Sequence, residues 1–334
     1  MLEDTISAIP SFRPLDGYSY DMNCIICDYP SIYKSKFYDD RYGYHGFFDV
    51  FECYACGHKF LKADFSNGIL RSLYTDYYPR STFDVTKFKP AEGASGFVSW
   101  LNGAARSAYC WVPEKVRVLD IGCGFGETLG YHEARGCDAY GVEVDENIRR
   151  YADRYGFNVQ VGLFDPKLYE ADFFDYVTLD QVIEHVTDPI ETLRGVAKVL
   201  KPGGVAILST PNSTGWGAQM FGRRWINWHT PYHIQHFSRV SMRLAAESAG
   251  LGVASVQTLT SSDWLHHQWN HVLTFPRMGE PSPYWSPKAE RGLQVKLILG
   301  ILSVLHLTKI NHLITRLCDG LGIGDNYVFI LRKP

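Results

Sequence analysis

From Val116 onward, short apolar runs alternate with amphipathic stretches of helical period. Val116 to Leu119, Ala139 to Val142, Tyr176 to Leu179 and Val205 to Leu208 are each short enough for a strand and bounded by Asp, Gly or Ser. Near-continuous apolar runs suit strands covered on both faces, and the helical periods between them suit the crossovers of a parallel sheet. The spacing predicts a doubly wound, seven-stranded Rossmann-like α/β sheet with strands near 116–121, 138–143, 157–161, 174–179, 204–209, 252–259 and 326–332. Upstream, LRSLYTDYYP predicts a short helix ending before Pro79, and SGFVSWLNGAARSAYCWV a helix leading into the first core strand. Residues 261–325 form an excursion before the last strand, placed to act as a helical lid.

Residues 20–62 follow another pattern. Cys24-x-x-Cys27 and Cys53-x-x-Cys56 are separated and followed by aromatic, strand-like sequence such as FFDVFECYACGHKF. Each pair places two thiolates at the tip of a hairpin, where Gly57 supplies a positive φ, and two such tips complete a tetrahedral S₄ zinc site. With four thiolates no coordination position stays open, so the zinc is expected to be structural and to contribute on the order of 10 kcal/mol of folding energy. The expected organisation is a zinc-ribbon-like module over 1–65, a helical linker and cofactor cover over 66–115, a cofactor-binding core over 116–260, and the lid insertion with the final strand over 261–334.

With 334 residues, 46% of them apolar, the chain is long enough for one full α/β core and a smaller module. A net charge of −3 and a pI near 6.5 give no broad basic field, which disfavours nucleic acid as partner. The eight cysteines fall as two CxxC pairs and four singles, and Met1-Leu2-Glu3-Asp4 opens without an apolar signal core. A reducing, cytoplasmic location is expected. The longest apolar stretch, Leu297 to Leu307, is broken by Gly300, Ser303 and His306 and is too short to span a bilayer. It is expected to be a buried lid or homodimer helix, with peripheral membrane contact as the alternative.

The chemistry concentrates at Asp120-Ile121-Gly122-Cys123-Gly124-Phe125-Gly126, which follows the first core run, and at Glu143, which ends the second. A glycine-rich turn lets backbone N–H groups approach a ligand, and an acid at the next strand tip can accept from both ribose hydroxyls. A dinucleotide fingerprint runs from its strand straight into G-x-G-x-x-G. Here an acid precedes the glycines, which suits a nucleoside carrying an amino acid end, with Asp120 toward its cationic group.

VLDIGCGFGETL, GVEVD, FDYVTLDQVIEHVTDP and LKPGGVAILSTPN, in that order, resemble the class I S-adenosylmethionine-dependent methyltransferases, nearest the ubiquinone-type and sugar-tailoring subgroup. The resemblance covers roughly Val116 to Thr260 and implies that the final strand enters antiparallel beside the fifth. It also implies a cofactor pocket made by Asp120, Gly122, Gly124, Glu143, Val144 and Phe164, with Asp180 and the adjoining Gln181 at the tip of the fourth strand. Glu184 and His185 fall where the resembling enzymes face the reactive end of the cofactor. The ubiquinone-type triple Glu-x-x-Glu-His, which binds a divalent metal in those enzymes, has Gln181 in place of its first acid here. Tyr74, Tyr77 and Tyr78 fall in the segment that covers the cofactor in members with a zinc module.

Methyl transfer needs alignment and, for a hydroxyl, amine or carbon acceptor, removal of a proton. A histidine titrates near neutrality. WHTPYHIQHFS places His229, His233 and His236 beside Trp228 and Tyr232, with Pro231 arguing against a regular helix and Ser238 able to cap the next one. The candidate catalytic residues are therefore His185, His233 and Glu184. Asp263, Trp264, His266, His267, Trp269 and His271 enrich the excursion in groups that suit a sugar or ring-bearing acceptor, or a subunit contact. The expected reaction is methyl transfer to a small hydroxylated acceptor such as a nucleotide-linked sugar or glycan precursor. The alternatives are an RNA or protein methyltransferase recruited through Lys34, Lys36 and Arg41 of the ribbon, and a noncatalytic scaffold.

Overall fold

The computed structural model describes residues 22–62, 69, 73–77, 85–287, 289 and 292–334. An antiparallel meander of β1 (Met22–Asn23), β2 (Pro30–Phe37), β3 (Phe48–Cys53) and β4 (Lys59–Lys62) opens it. Of the expected upstream helix only a single turn, Leu73–Tyr77, falls among the described residues, and Tyr78 with the side chain of Tyr74 lies outside them. Helix α1 (Gly96–Asn102) stops at Gly103, whose φ of 73° needs glycine and whose Cβ would sit 2.1 Å from the Thr260 carbonyl oxygen. The single helix expected through this segment is thus α1 followed by short 3₁₀ turns at Ala104–Arg106 and Ala108–Trp111.

The core then runs β5 (Arg117–Ile121), α2 (Glu127–Ala134), β6 (Asp138–Glu143), α3 (Ile148–Tyr155), β7 (Asn158–Val161), β8 (Phe174–Asp180), α4 (Pro189–Val199), β9 (Leu200–Pro211) and α5 (Trp216–Phe221). Local chemistry explains the boundaries. Asp188 accepts from the Glu191 N–H with Pro189 at the first helical position of α4. After β10 (Gln235–His236), Ser238 and Ser241 form a reciprocal capping box that starts α6 (Arg239–Ser248). β11 (Gly252–Thr258), α7 (Ser262–Leu273), α8 (Leu293–Leu307), α9 (Ile310–Gly320) and β12 (Asn326–Arg332) complete the chain.

The main sheet has the order β11-β12-β9-β8-β5-β6-β7. β5 pairs in parallel with β6 and β8, while β12 enters antiparallel between β9 and β11, opposite Val205 to Pro211. All seven strands lie where the apolar runs place them. Leu119, Val177, Leu179, Leu208 and Phe329 are fully buried at the centre. Chain order reverses between β5 and β8, and the crevice at the carboxyl ends of strands beside such a reversal is where α/β sheets bind ligands.

Two features depart from the sequence pattern. The first sheet does not end at β4, because β10 pairs with it antiparallel, Gln235 opposite Phe60 and His236 opposite Lys59. The His-rich segment therefore joins the cysteine module to the core. Second, α8 is not a buried lid: it packs on α7 and α9, but none of its residues is buried among the described residues.

Candidate active site

The glycine turn leaves β5 and is held to the neighbouring strand from the start. Gly122 and Cys123 donate their N–H groups to the Val142 carbonyl at 2.8 and 3.1 Å. Gly122 has φ 80°, and a Cβ there would lie 2.5 Å from Val182 Cγ2. Gly124, φ 57°, donates its N–H to Glu143 Oε2 at 3.0 Å, while Glu143 Oε1 accepts from the Asp145 N–H at 2.8 Å. Burial raises the Glu143 carboxyl above its ordinary value, against these backbone donors. Asp120 is buried with both oxygens engaged: Oδ1 accepts from the Thr178 hydroxyl at 2.6 Å and Oδ2 from the Thr128 hydroxyl. Burial pushes its carboxyl up to about 7. Thr128 and Thr178 are site residues that the sequence reading missed, since neither falls in the glycine motif or at a strand tip.

Val144 is exposed beyond the tip of β6. Phe164 packs against Tyr169, ring centroids 6.3 Å apart, and toward Gly195 of α4, where a Cβ would come within 2.9 Å of its ring. Asp180 ends β8 with one oxygen that lacks a hydrogen-bond partner, and burial raises its carboxyl. Gln181 has φ 58°, and its amide donates to Ser209 Oγ at 2.7 Å and Asn326 Oδ1 at 2.8 Å. Beside it a narrow polar cleft is lined by Arg106, Gln181, Asn227, Thr260, Ser261, Trp264, Asp325 and Asn326. Of the aromatic and imidazole groups in the excursion, Trp264 reaches this cleft, whereas His271 is buried against Trp285, 3.1 Å from its indole N–H. Tyr77 packs on Tyr44 with ring centroids 5.1 Å apart.

Glu184, His185 and His233 come together although 48 residues separate the last two. The His185 and His233 rings meet edge to face with centroids 4.7 Å apart. His185 Nδ1 lies 2.9 Å from the Tyr232 carbonyl and His233 Nδ1 2.8 Å from the Asn227 carbonyl. A carbonyl only accepts, so each ring carries its proton on Nδ1 and its basic lone pair on Nε2. Burial drives both pKa values down, that of His185 to about 4, so both rings are neutral at pH 7. Glu184 is fully buried; Oε2 accepts from the Thr210 hydroxyl at 3.0 Å, Oε1 has no hydrogen-bond partner, and burial pushes the carboxyl up to about 8. The Ile234 N–H donates to the Glu184 carbonyl at 2.9 Å, which fixes the His-rich segment beside β8. One ligand atom from each of the three residues lies within 4.8 Å of the others. His229 and His236 are not part of this cluster. His236 packs on Trp228, centroids 4.8 Å apart.

The four cysteines of the ribbon also converge. Cys24 Sγ lies 3.7 Å from Cys56 Sγ and Cys27 Sγ 3.5 Å from Cys53 Sγ, all four within 4.8 Å and none in a disulfide. The Ile26 and Cys56 N–H groups donate to Cys24 and Cys53 sulfurs at 3.4 and 3.5 Å. Sulfurs about 3.8 Å apart are the edges of a tetrahedron with metal–sulfur bonds of about 2.3 Å, so this quartet fits a thiolate-bound ion. Gly57, φ 66°, takes the left-handed conformation that the second knuckle requires. Of the cations on the described strands, Lys34 and Lys59 pair with Glu52 at 2.8 and 3.2 Å, Lys36 pairs with Asp49 at 3.5 Å, and Lys62 lies over the Phe51 ring. Arg41 is buried, donates to the Ile226 carbonyl at 2.5 Å and stacks on Trp285.

Comparison with known proteins places the chain in a family. Residues 86–256 match a family described as "Methyltransferase domain". A ubiquinone biosynthesis O-methyltransferase of Xanthomonas oryzae pv. oryzae is 31% identical over 165 residues, 46% of this chain and 68% of that protein. The protein of the same description from Xanthomonas axonopodis pv. citri is 31% identical over 169 residues, 48% of this chain and 70% of that one. Among solved structures, the Haemonchus contortus phosphoethanolamine N-methyltransferase 2 in complex with S-adenosyl-L-methionine is 16% identical and covers 83% of this chain and 62% of its own, with a TM-score of 0.48.

Proposed function

The chain belongs to the class I S-adenosylmethionine-dependent methyltransferases, and within that family we propose that it methylates a small hydroxylated acceptor, a sugar, nucleotide-sugar or glycan precursor. The observation that carries this reading is the narrow polar cleft beside Gln181, among whose lining residues Asn227 and Ser261 offer hydrogen bonds and Trp264 a stacking face to a ring bearing hydroxyls.

When bound, the cofactor supplies an electrophilic methyl group with a good leaving group. The chain's own residues then align and deprotonate. Glu143 offers a half-buried carboxylate at the β6 tip, already aimed at the Gly124 N–H, for the ribose hydroxyls. Gly122 and Gly124 keep the turn free of side chains, Val144 and Phe164 would flank the adenine, and Asp120, braced by Thr128 and Thr178, would set negative charge behind the methionine end. Asp180 and Gln181 would hold the cofactor at the tip of β8. His185 and His233 present neutral imidazoles, and either can take the acceptor's proton at Nε2. Glu184 beneath them keeps a protonated carboxyl near neutral pH and positions both through its carbonyl bond to Ile234.

The divalent ion of ubiquinone-type enzymes is a question of fit. Gln181 spends its amide on Ser209 and Asn326, yet Glu184 has an orphan oxygen and His233 brings a third ligand atom within 4.8 Å of those of Glu184 and His185. Glu184, His185 and His233 together fit such an ion, which would polarise an acceptor hydroxyl. Cys24, Cys27, Cys53 and Cys56 would hold one structural zinc. Polymer recruitment by the ribbon has little support, because Lys34 and Lys36 are paired with acids and Arg41 is buried.

The test is to incubate the purified protein with labelled S-adenosylmethionine and separate pools of nucleotide-sugars, lipid-linked glycans and RNA. Label is expected in a sugar-bearing pool; label in RNA alone would overturn the reading.

A further inference from the structure

Helices α8 and α9 carry large apolar side chains that no part of the described chain covers. Leu293, Leu297, Ile301 and Leu305 recur one helical turn apart and are all exposed, Leu293 by 85%. On α9 a helical spacing recurs with Ile310, Leu313 and Leu317, followed by Leu321 at its C-cap, again all exposed. Helix α1, which packs against α9 and contains no charged residue, adds Phe97, 71% exposed, with Val98 and Trp100. Large apolar side chains exposed in this number on helices that pack on one another mark an interaction surface rather than ordinary monomer exterior.

Charge and length select the occupant. From Gly292 to Cys318 the chain contains Lys296, Lys309 and Arg316 and no Asp or Glu. Arg316 is turned inward, to the Thr260 carbonyl and to Asp319 at 2.8 Å, which leaves exposed Lys296 and Lys309 flanking the apolar stripe. A two-fold contact between copies would set Lys296 and Lys309 against themselves, because the acids on and beside these helices, Asp319 and Asp263, are already held by Arg316 and His306. Anionic headgroups match the two lysines. The helices have 15 and 11 residues and bend by 63° at their junction, so neither is long enough to cross a bilayer and the pair suits lying along one.

We propose that α8, α9 and the outer face of α1 dock onto a bilayer containing anionic lipid, with the leucines at the headgroup boundary, Trp100 at interfacial depth, and Lys296 and Lys309 on lipid phosphates. The surface is rooted at the acceptor cleft. Thr260 lines that cleft and donates its N–H and hydroxyl to the Asp319 carboxylate of α9, each at 2.9 Å. Docking therefore brings the cleft to the headgroup layer, whichever acceptor it takes.

The experiment is flotation of the full chain with vesicles of phosphatidylcholine alone or of equal phosphatidylcholine and phosphatidylglycerol, at low and high salt. The wild type is expected to float with the mixed vesicles, less so in salt or without phosphatidylglycerol. The Leu297→Glu/Leu317→Glu variant, altered only at exposed positions, is expected to float roughly tenfold less, with unchanged S-adenosylmethionine affinity and circular dichroism. Wild type that stays with the unbound protein in both lipids, or a variant that floats equally well, overturns the proposal. So does light scattering that shows a wild-type dimer which the variant splits while vesicles bind neither.

Discussion

Glu143 Oε2 accepts a hydrogen bond from the Gly124 backbone N–H across 3.0 Å, so the tip of β6 and the glycine turn after β5 are joined by one carboxylate. The contact is charge-assisted and half-buried, and such bonds contribute about 1.5–3 kcal/mol. Glu143→Ala removes both this tie and the acceptor proposed for the ribose. Its dissociation constant for S-adenosylmethionine is expected to rise by about tenfold to a hundredfold in calorimetry. An unchanged constant refutes the placement.

Gly122→Ala forces a Cβ at φ 80° to within 2.5 Å of Val182 Cγ2. The backbone strain costs on the order of 1–3 kcal/mol before any clash is relieved. Thermal unfolding should shift downward by several degrees. Adding Val182→Ala should recover only the steric part, and full recovery would mean that the backbone conformation is not the constraint.

Asp120 gives a pH signature with a definite sign. Its carboxyl, ordinarily near 3.8, is raised to about 7 in the folded protein, chiefly by burial. The folded state therefore binds a proton more tightly than the unfolded one, and the stability this contributes is complete below about pH 4 and lost as pH rises through about 7. Asp120→Asn keeps an oxygen for the Thr178 hydroxyl and removes the titration. Between these pH values the wild type should lose stability relative to the variant in denaturant titrations, and parallel profiles would exclude this role. If a cationic ligand group settles beside Asp120, calorimetry near neutral pH should also record proton release on binding.

His185→Ala and His233→Ala separate the two candidate bases. Loss of a general base lowers kcat by about 10²–10⁴-fold, whereas loss of an acceptor contact acts mainly on KM. One variant of the pair is expected to show the first pattern once an acceptor is in hand. Two variants with near-wild-type kcat would remove both rings from proton transfer.

Metal analysis should return about one zinc per chain. Stripping it with a chelator should abolish amide protection through β2, β3 and β4 and also around Ile234 to Ser238, because Ser238 Oγ donates to the Cys56 carbonyl at 2.5 Å and β10 pairs with β4. A protein folded and protected without metal would overturn the zinc reading.

Much of the fold is written in local pattern. Runs such as Tyr176 to Leu179 and Val328 to Leu331 are apolar because both faces of the sheet are covered, and their ends coincide with the observed strands to within a few residues. The Cys24 and Cys27 pair is equally legible, because a knuckle is a short-range object. What escaped has non-local causes. Gly103 breaks the expected helix because the Thr260 carbonyl of a distant segment occupies the space a side chain would need. Thr128 and Thr178 meet on Asp120 only after the sheet forms. The two-residue pairing of Gln235 and His236 with β4 is too short to leave any periodicity. The apolar run of α8 reads as a buried helix from composition alone, since composition does not record whether a partner surface exists.

The pairing of β10 with β4 means that the cysteine module has no edge of its own on that side: its last strand is supplied by the segment that also carries His233. Grafting the ribbon onto another enzyme, or deleting it from this one, would cut through a shared sheet and bare the backbone behind the proposed proton acceptor. A metal held by its four cysteines would thus act as a rivet in the floor of the proposed reaction chamber rather than as a handle for an outside partner.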